Sequence, residues 1–251
     1  MAAKHKLDCS HIPFPMPEKH CTLYQNWINL TFMHWKVDAE KIKPYLPEGL
    51  EIDLFEGHAY VGLIPFTMEK VRPRLLPWLP FVSTFGEFNI RTYVVKDGIP
   101  GVLFLTLEAQ SRVTCFHAPR SYGLPYRYAK AKVKVNPDGE FEWKSVRTSG
   151  GETLIGSAQA TGPELKAKEN TLEYFLFERY SLYTGHRGIL HRAYTHHQPW
   201  KYTLAKVNIE ANTLLQSYNL GIEDLYSPEY VHMSSGVQVR TWSVDPVEVI
   251  S

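Results

Sequence analysis

The ten residues Phe85-Gly86-Glu87-Phe88-Asn89-Ile90-Arg91-Thr92-Tyr93-Val94 largely alternate between polar and apolar side chains. In a β-strand, successive side chains point to opposite faces, so this segment has one polar and one apolar face. The polar face carries Glu87, Asn89, Arg91 and Tyr93. Neighbours on one face of a strand lie about 6–7 Å apart, so Glu87 and Arg91 are close enough to line one cavity.

The segment that follows indicates where this strand lies. Lys96-Asp97-Gly98 has turn chemistry, and residues 102–107 are apolar on both faces, which is typical of a central strand. A hairpin between the two strands places the polar face beside a buried strand, where an acid and a base need partners or a ligand. This arrangement predicts a pocket in which Arg91 pairs with Glu87 or Glu108. The alternative is a solvated strand face.

Short apolar or alternating runs separated by Gly and Pro continue along the chain. They cover residues 23–35, 59–66, 128–135, 141–145 and 202–210. Many short strands in series favour antiparallel sheets, as a sandwich or a partly closed barrel. The predicted fold class is therefore mostly β, a β-rich α+β protein with a few short helices. Residues 1–20 lack such runs and are predicted to form an N-terminal arm, whereas residues 21–251 contain no linker or repeat, which predicts one domain.

Two of the short helices have recognisable start signals. Asp38 has the chemistry to cap a helix that ends near Pro44. Asn170, with Glu173 three residues later, forms a capping-box pattern. It predicts a helix over residues 171–180, where the apolar side chains follow helical spacing.

The composition excludes several classes of partner. Lys and Arg number 27 and Asp and Glu number 26 among the 251 residues, so there is no excess of basic residues for nucleic acid or for an anionic membrane. The three cysteines have no C-x-x-C spacing, which favours a reducing compartment. The chain has no signal-peptide pattern and no apolar stretch of spanning length, so a cytoplasmic location is predicted.

Motifs of the common enzyme classes are missing from the sequence. It contains no G-x-S-x-G, G-x-G-x-x-G, P-loop or H-E-x-x-H pattern. His196 and His197 suggest a metal site, but adjacent residues of an extended segment point to opposite faces, so at most one of them can face a given ion. Structural histidines are the favoured interpretation, and neither a metal nor a cofactor is predicted.

Several segments together resemble the uncharacterised YqjF-like family, which is grouped with the acetoacetate decarboxylase-like fold. Their order and spacing agree over most of the chain. The matching stretches are residues 35–53, 60–66, 87–94, 123–129, 178–180 and 197–200. The resemblance implies an acetoacetate decarboxylase-like domain with a pocket for a small molecule.

Acetoacetate decarboxylases carry a Gly-x-Pro-Lys-Lys type of motif, whose first lysine forms a Schiff base with the ketone. The matching stretch here is Gly123-Leu124-Pro125-Tyr126-Arg127, so Tyr126 stands at the position of the nucleophile and Arg127 at that of its cationic neighbour. The family's pocket glutamate is matched by Glu87. Because a phenol cannot form an imine, the resemblance implies the fold and the pocket but not the Schiff-base reaction. Lys130, Lys132 and Lys134 alternate along a strand and are predicted to lie on a solvated face.

Two functions use the predicted pocket, and the sequence leaves open whether the protein is an enzyme. The first is a lyase or isomerase acting on a small oxo-acid. Glu87 and Tyr126 would be catalytic, as an acid/base and as a donor to a developing oxyanion. Asn89, Arg91 and Arg127 would bind the substrate, since a guanidinium suits a carboxylate. The second is non-catalytic binding of a small metabolite, with a carboxylate as one candidate ligand.

A third function is an interaction protein that uses the Pro- and Trp-rich residues 72–81 as a contact surface. The favoured interpretation of that segment is a loop packed over the mouth of the pocket. The sequence does not determine the oligomeric state, and a homo-oligomer is one of the alternatives.

Overall fold

The computed structural model describes residues 7–80 and 82–247, and most of them form β-structure. The strands are β1 (Leu23–Val37), β2 (Glu51–Ile52), β3 (Ala59–Pro73), β4 (Phe85–Lys96), β5 (Ile99–Ala109), β6 (Tyr126–Val135), β7 (Phe141–Arg147), β8 (Thr153–Ala160), β9 (Leu165–Lys166), β10 (Ser181–His186), β11 (Ile189–His196), β12 (Lys201–Asn212), β13 (Tyr230–Thr241) and β14 (Asp245–Pro246). The short helices are α1 (Ala39–Ile42), α2 (Arg112–Tyr122), α3 (Leu172–Phe177) and α4 (Thr213–Gln216). The predicted mostly β class is confirmed.

The strands form one large mixed sheet with a partial ring. Its order is β14-β11-β10-β5-β6-β7-β8-β12-β13-β1-β3-β4-β2, and β4 also pairs with β5. Through this additional pairing the sheet closes into a partial ring, which is not a regular barrel. The prediction of antiparallel sheets is incomplete, because β5 pairs in parallel with both β6 and β10. The parallel β5–β6 pair requires a crossover connection, and α2 supplies it.

The described apolar side chains form two large cores and one small cluster, and β4 contributes to both large cores. Phe88 and Ile90 pack in one core with Trp143 and Leu63. The opposite face of β4 borders a second core that is rich in aromatic rings. The alternation in the sequence therefore matches two different environments, since successive side chains of a strand leave it on opposite sides.

The two predicted helices form, one of them with a different start. Asp38 caps α1 by accepting a hydrogen bond from the Glu40 backbone N–H at 2.9 Å, as predicted. For α3, the cap is Thr171 rather than Asn170, because Asn170 has a φ of 64° and an N-cap residue takes extended angles. The helix also ends at Phe177, where the Glu178 carboxylate turns into the interior and accepts from the Trp200 backbone N–H.

The described part of the N-terminal arm is irregular and lies against the sheet. Ile12 is buried, and the His11 ring donates a hydrogen bond to the His197 carbonyl at 2.8 Å. The Trp242 indole donates to the Lys19 carbonyl at 2.7 Å. Residues 1–6 of the predicted arm lie outside the described residues. Among the residues that the structure describes, no helix has the length and apolar character needed to cross a bilayer.

Candidate functional site

A cavity of about 520 Å³ lies between the sheet and α2. Its apolar wall comes from β1, β3, β4 and β5, and includes Leu23, Trp27, Met68, Phe85, Phe104 and Leu107. Helix α2 contributes Val113, Thr114, His117, Ala118 and Tyr122. The volume is in the usual range of about 300–1,000 Å³ for small-molecule sites. The cavity is mostly apolar, whereas the sequence predicted a polar lining.

Buried Glu87 and half-buried Tyr126 form a polar pair in the wall of this cavity. Glu87 is only 3% exposed, and the Tyr126 hydroxyl donates to its Oε2 at 2.9 Å. Glu87 lies in the middle of the sheet, with Phe66 of β3 and Ala109 of β5 as its register neighbours. The predicted proximity of Glu87 and Tyr126 is confirmed.

The local sequence explains how Tyr126 reaches that position. Gly123 ends α2 in the left-handed conformation, with a φ of 68°. Pro125 then leads into β6, where Tyr126 lies opposite Leu107 in the parallel pairing with β5. Gly86 permits a close approach of β4 and β6, because a Cβ there would lie 2.5 Å from the Ala131 carbonyl oxygen.

Burial determines the protonation of the pair. It raises the pKa of Glu87 from 4.5 to about 8, even though the hydrogen bond from Tyr126 acts in the opposite direction. Burial, together with the Glu87 charge, raises the pKa of the Tyr126 phenol well above 10. At neutral pH, Glu87 is therefore mostly protonated, and Tyr126 is neutral. A carboxyl group with a pKa near the working pH is suited to acid–base chemistry.

Three predicted binding residues do not line this cavity. Asn89 is buried further along β4, and Arg127 is exposed at the start of β6. The Arg91 guanidinium donates to the Leu176 carbonyl at 3.0 Å and lies 5.7 Å and 5.6 Å from the ring centroids of Phe32 and Tyr93. The prediction that these side chains share one cavity with Glu87 is wrong. Asn89 and Arg91 lie too far along β4, because only Phe85 and Glu87 of that strand border the cavity. Arg127 directly follows Tyr126 on β6, so its side chain leaves the strand on the opposite face.

The predicted ion pairs of Arg91 are also wrong. Glu87 is bonded to Tyr126, and Glu108 is bonded to Arg147. Arg147 donates from Nη2 at 2.6 Å and from Nε at 3.1–3.2 Å to the Glu108 carboxylate, which is fully buried. Arg147 also pairs with Glu152 at 2.9 Å. The alternation of side chains cannot identify Arg147 as the partner of Glu108, because only the order of strands in the folded sheet brings β5 and β7 near each other.

Helix α2 is the part of the site that the sequence analysis missed. Pro119 within it and the absence of a clear apolar stripe hid the helix. The available signal was Ser111, whose hydroxyl caps the helix by accepting from the Thr114 backbone N–H at 3.2 Å. Thr114 and His117 therefore reach the cavity without having been predicted as site residues.

The lysines of β6 lie where the alternation predicted. Lys130, Lys132 and Lys134 are exposed, and Lys134 pairs with Glu142. None of the three lines the cavity, and among the described residues no lysine or arginine contributes to its lining.

The segments 178–180 and 197–200 meet in the interior, away from the cavity. Glu178 accepts hydrogen bonds from the Tyr180 hydroxyl and, at 2.8 Å, from the Trp200 backbone N–H. The His197 ring stacks on Tyr180 at 4.6 Å, and His196 donates to the Asp8 carbonyl at 2.8 Å. These contacts give both histidines a structural role. Within residues 7–80 and 82–247, no group of three or more His, Cys, Asp or Glu side chains is arranged to hold a metal ion.

The loop between β3 and β4 is exposed rather than packed over the cavity. Leu75 is 84% exposed, and Leu76, Trp78, Leu79 and Val82 are also largely accessible. Phe81 lies outside the described residues. Of the described residues 71–80, Val71 and Pro73 at the end of β3 line the cavity and the rest do not, so the predicted cover over its mouth is wrong.

Comparison with known proteins identifies one family and several structural neighbours. The model of the DUF2071 family, described as an uncharacterized conserved protein, matches residues 24–238. The uncharacterized protein YqjF of Bacillus subtilis is 32% identical over 228 residues, which are 90% of this chain and 93% of YqjF. The resemblance predicted from the sequence motifs is confirmed.

Solved structures with this fold include decarboxylases and related enzymes. Acetoacetate decarboxylase from Legionella pneumophila has a TM-score of 0.64 at 15% identity, covering 99% of this chain and 98% of that one. An acetoacetate decarboxylase-like enzyme from Sphingomonas wittichii has a TM-score of 0.62 at 9% identity, covering 96% and 98%. The enduracididine biosynthesis enzyme MppR, complexed with pyruvate, has a TM-score of 0.58 at 12% identity, covering 93% of each chain. These likenesses show the shared acetoacetate decarboxylase-like fold.

Proposed function

Because this chain belongs to the DUF2071 family of uncharacterized conserved proteins, with YqjF as a relative, we propose from its cavity that it transfers a proton on a small, neutral carbonyl compound. The reaction would be of the lyase or isomerase type. One observation carries the proposal: a buried carboxyl group with a pKa of about 8 lies in the wall of an apolar cavity and is bonded to a phenol.

The lining of the cavity favours a neutral ligand over the oxo-acid that the sequence suggested. A carboxylate would need a cation, and Arg91 and Arg127 lie elsewhere. An anion next to Glu87 would also be repelled whenever Glu87 is ionised, and its desolvation would be uncompensated. A ligand with an apolar body and one carbonyl oxygen fits the wall and the polar pair.

The Glu87–Tyr126 pair supports a simple proton transfer. Ionised Glu87 takes a proton from the carbon next to the carbonyl group. The electrons of that C–H bond form a carbon–carbon double bond, and the π electrons of the carbonyl group move to its oxygen. Once Glu87 is protonated, the Tyr126 hydroxyl is free to donate to the developing oxyanion. The proton can then return to a different atom, which gives isomerisation, or an adjacent bond can break.

No step of this chemistry uses a Schiff base. The sequence resemblance matches Tyr126 with the Schiff-base lysine of acetoacetate decarboxylases, and the described lining residues include no lysine. The neighbours support carbonyl chemistry in this fold, since MppR is also described in complex with the condensation product of pyruvate and imidazole 4-carboxaldehyde. That protein's ligand is an oxo-acid, so the proposal is for a related reaction on a different class of carbonyl compound.

Exchange of solvent deuterium into cyclohexanone tests the proposal. We expect the wild-type protein to accelerate exchange at the carbons next to the carbonyl, with a rate that rises with pH through about 8 as Glu87 ionises. Glu87→Gln removes the base and is expected to slow exchange by at least about 100-fold. The control Glu223→Gln changes an exposed carboxylate and leaves the rate unchanged. Borohydride added to the mixture should trap no covalent adduct.

Non-catalytic binding is the second candidate, and the largely apolar wall of the cavity favours it. In that case cyclohexanone binds saturably and with similar affinity to the wild type and to Glu87→Gln, and neither protein catalyses exchange. A lack of both binding and exchange would contradict both candidates. An adduct with borohydride would instead support a lysine mechanism.

A further inference from the structure

A second recess, of about 490 Å³, lies on the opposite face of β1 and β3 from the cavity. Side chains of β1 alternate between the two. Leu23 and Trp27 line the cavity, whereas Tyr24 and Asn26 line the recess. Gln25 borders both volumes, and the other described lining residues differ, so the recess is a separate site on the opposite face of the sheet.

The floor of the recess is a row of four residues on adjacent strands. His196 of β11 is the register partner of Arg240 in β13. Arg240 is in turn the partner of Tyr24 in β1, and Tyr24 is the partner of Arg72 in β3. Neighbouring strands lie about 4.8 Å apart, so the sheet itself holds these side chains next to one another. Both guanidinium groups lie over the Tyr24 ring, with Cζ at 4.6 Å from its centroid for Arg72 and 5.7 Å for Arg240.

The positive charge of this row has no matching negative charge. Within the described residues, neither Arg72 nor Arg240 forms an ion pair, and the recess has no Asp or Glu in its lining. Lys70 also lines the recess, with its ammonium 3.6 Å from the Glu69 carboxylate. Two guanidinium groups that flank one ring concentrate positive charge on the floor of the recess, and a bound anion would offset it.

We propose that this recess binds an organic phosphate. Guanidinium groups present paired N–H donors that match the oxygens of a phosphate, and Arg72 and Arg240 would contact it from two sides. Gln198 and Gln238 add polar groups to the lining, and Trp78 gives the recess an aromatic wall for the organic part of the ligand. The phosphate belongs to a soluble ester or to a lipid headgroup. The lipid headgroup is included because the exposed leucines next to Trp78 are suited to contact with a bilayer surface.

Calorimetric titration of the full chain with phenyl phosphate at low salt tests the soluble source. Cosedimentation with phosphatidylcholine vesicles, with and without phosphatidylglycerol, tests the lipid source. We expect Arg72→Gln and Arg240→Gln each to weaken binding about tenfold or more, and Arg72→Lys to retain part of it. The control Lys144→Gln removes one positive charge from β7, which does not border the recess, and leaves binding unchanged.

The two sources give different results. Saturable binding of phenyl phosphate supports a soluble ester, and binding only to vesicles that contain phosphatidylglycerol supports a headgroup. Binding to neither probe overturns the proposal, as does an equal loss in Lys144→Gln, which would indicate unspecific charge attraction. The melting temperature of each variant shows whether it is folded. Glu87→Gln should bind the phosphate probe as the wild type does, so the outcome is separable from the proposed catalytic function.

Discussion

The Glu87 carboxyl and the Tyr126 hydroxyl belong to residues 39 positions apart in the chain. Burial raises the pKa of both groups. In water, Glu87 would be ionised at neutral pH and inert as an acid. In the cavity wall it keeps its proton to a pKa of about 8, because few polar groups replace the water that the charged form would need. Acid–base chemistry at this position therefore depends on desolvation and on one hydrogen bond.

The raised pKa of Glu87 predicts a pH-dependent stability. The unfolded chain loses this proton near pH 4.5, whereas the folded protein keeps it to about pH 8, so the folded state binds more protons between these values. Stability contributed by Glu87 is therefore lost as the pH rises from 4.5 to 8. The difference of 8 − 4.5, about 3.5 pKa units, corresponds to at most about 5 kcal/mol.

Urea unfolding of the wild type and of Glu87→Gln at pH 5 and pH 8.5 measures this contribution. Between pH 5 and pH 8.5, the free energy of unfolding of the wild type should fall by several kcal/mol more than that of the variant, within the limit of about 5 kcal/mol given above. His197 and His232, whose pKa values burial lowers to about 4, affect both proteins equally and cancel in the comparison. Parallel profiles for the two proteins would show that Glu87 is not desolvated.

The two buried arginines predict different costs of substitution. Arg147→Met leaves the buried Glu108 carboxylate without its ionic partner, which is expected to lower the free energy of unfolding by about 3–5 kcal/mol. Arg91→Met removes a hydrogen bond to the Leu176 carbonyl and leaves no carboxylate unpaired, so about 1–3 kcal/mol is expected. Chemical denaturation of both variants at neutral pH decides between them. A larger loss for Arg91→Met would mean that this side chain has an ionic partner.

Among the elements, α2 has the largest effect on the site. A tight turn after β5 would have produced an antiparallel hairpin. The eleven-residue helix instead carries the chain across, so that β6 runs parallel to β5 and begins with Tyr126 beside Leu107. The same helix supplies Thr114 and His117 to the cavity wall, so one connection determines both the position of the phenol and part of the lining.

Loss of the α2 cap is therefore predicted to weaken this region. Ser111→Ala removes the hydroxyl that accepts from the Thr114 backbone N–H, with an expected loss of about 1 kcal/mol in the free energy of unfolding. Ser121→Ala on the same helix removes an exposed hydroxyl that is hydrogen-bonded to the His117 ring at 3.3 Å, and it serves as the matched control. Thermal unfolding compares the two. An equal effect for both serines would show that the Ser111 cap does not stabilise the helix.

In the whole molecule, one mixed sheet connects both cores. Strand β1 places Met33 in one core and Phe32 in the other, so neither core is complete without this strand. We therefore expect the predicted single domain to unfold in one cooperative transition. Calorimetry should give equal van't Hoff and calorimetric enthalpies. Two separated transitions would instead mean that the cores fold independently.

Local patterns in the sequence were sufficient for those features that depend on neighbouring residues. Alternation identified β4 and its two faces, Asp38 was recognised as a cap, and the lysines of β6 were assigned to a solvated face. Each of these is set by backbone geometry within a few residues. Six short stretches spread over most of the chain added the family and its fold, because their order and spacing are shared with YqjF-like proteins.

The composition of both candidate sites was decided by the tertiary structure. Glu87 meets Tyr126 rather than Arg91, and Glu108 meets Arg147, because the sheet closes through β4 and β5 while β6 runs parallel. Likewise, Arg72 and Arg240 are far apart in sequence and share the Tyr24 ring only through the register of three strands. Strand pairing over long sequence separations depends on how the whole sheet buries its faces. A local pattern determines the direction of a side chain, and only the folded sheet determines which other side chain it contacts.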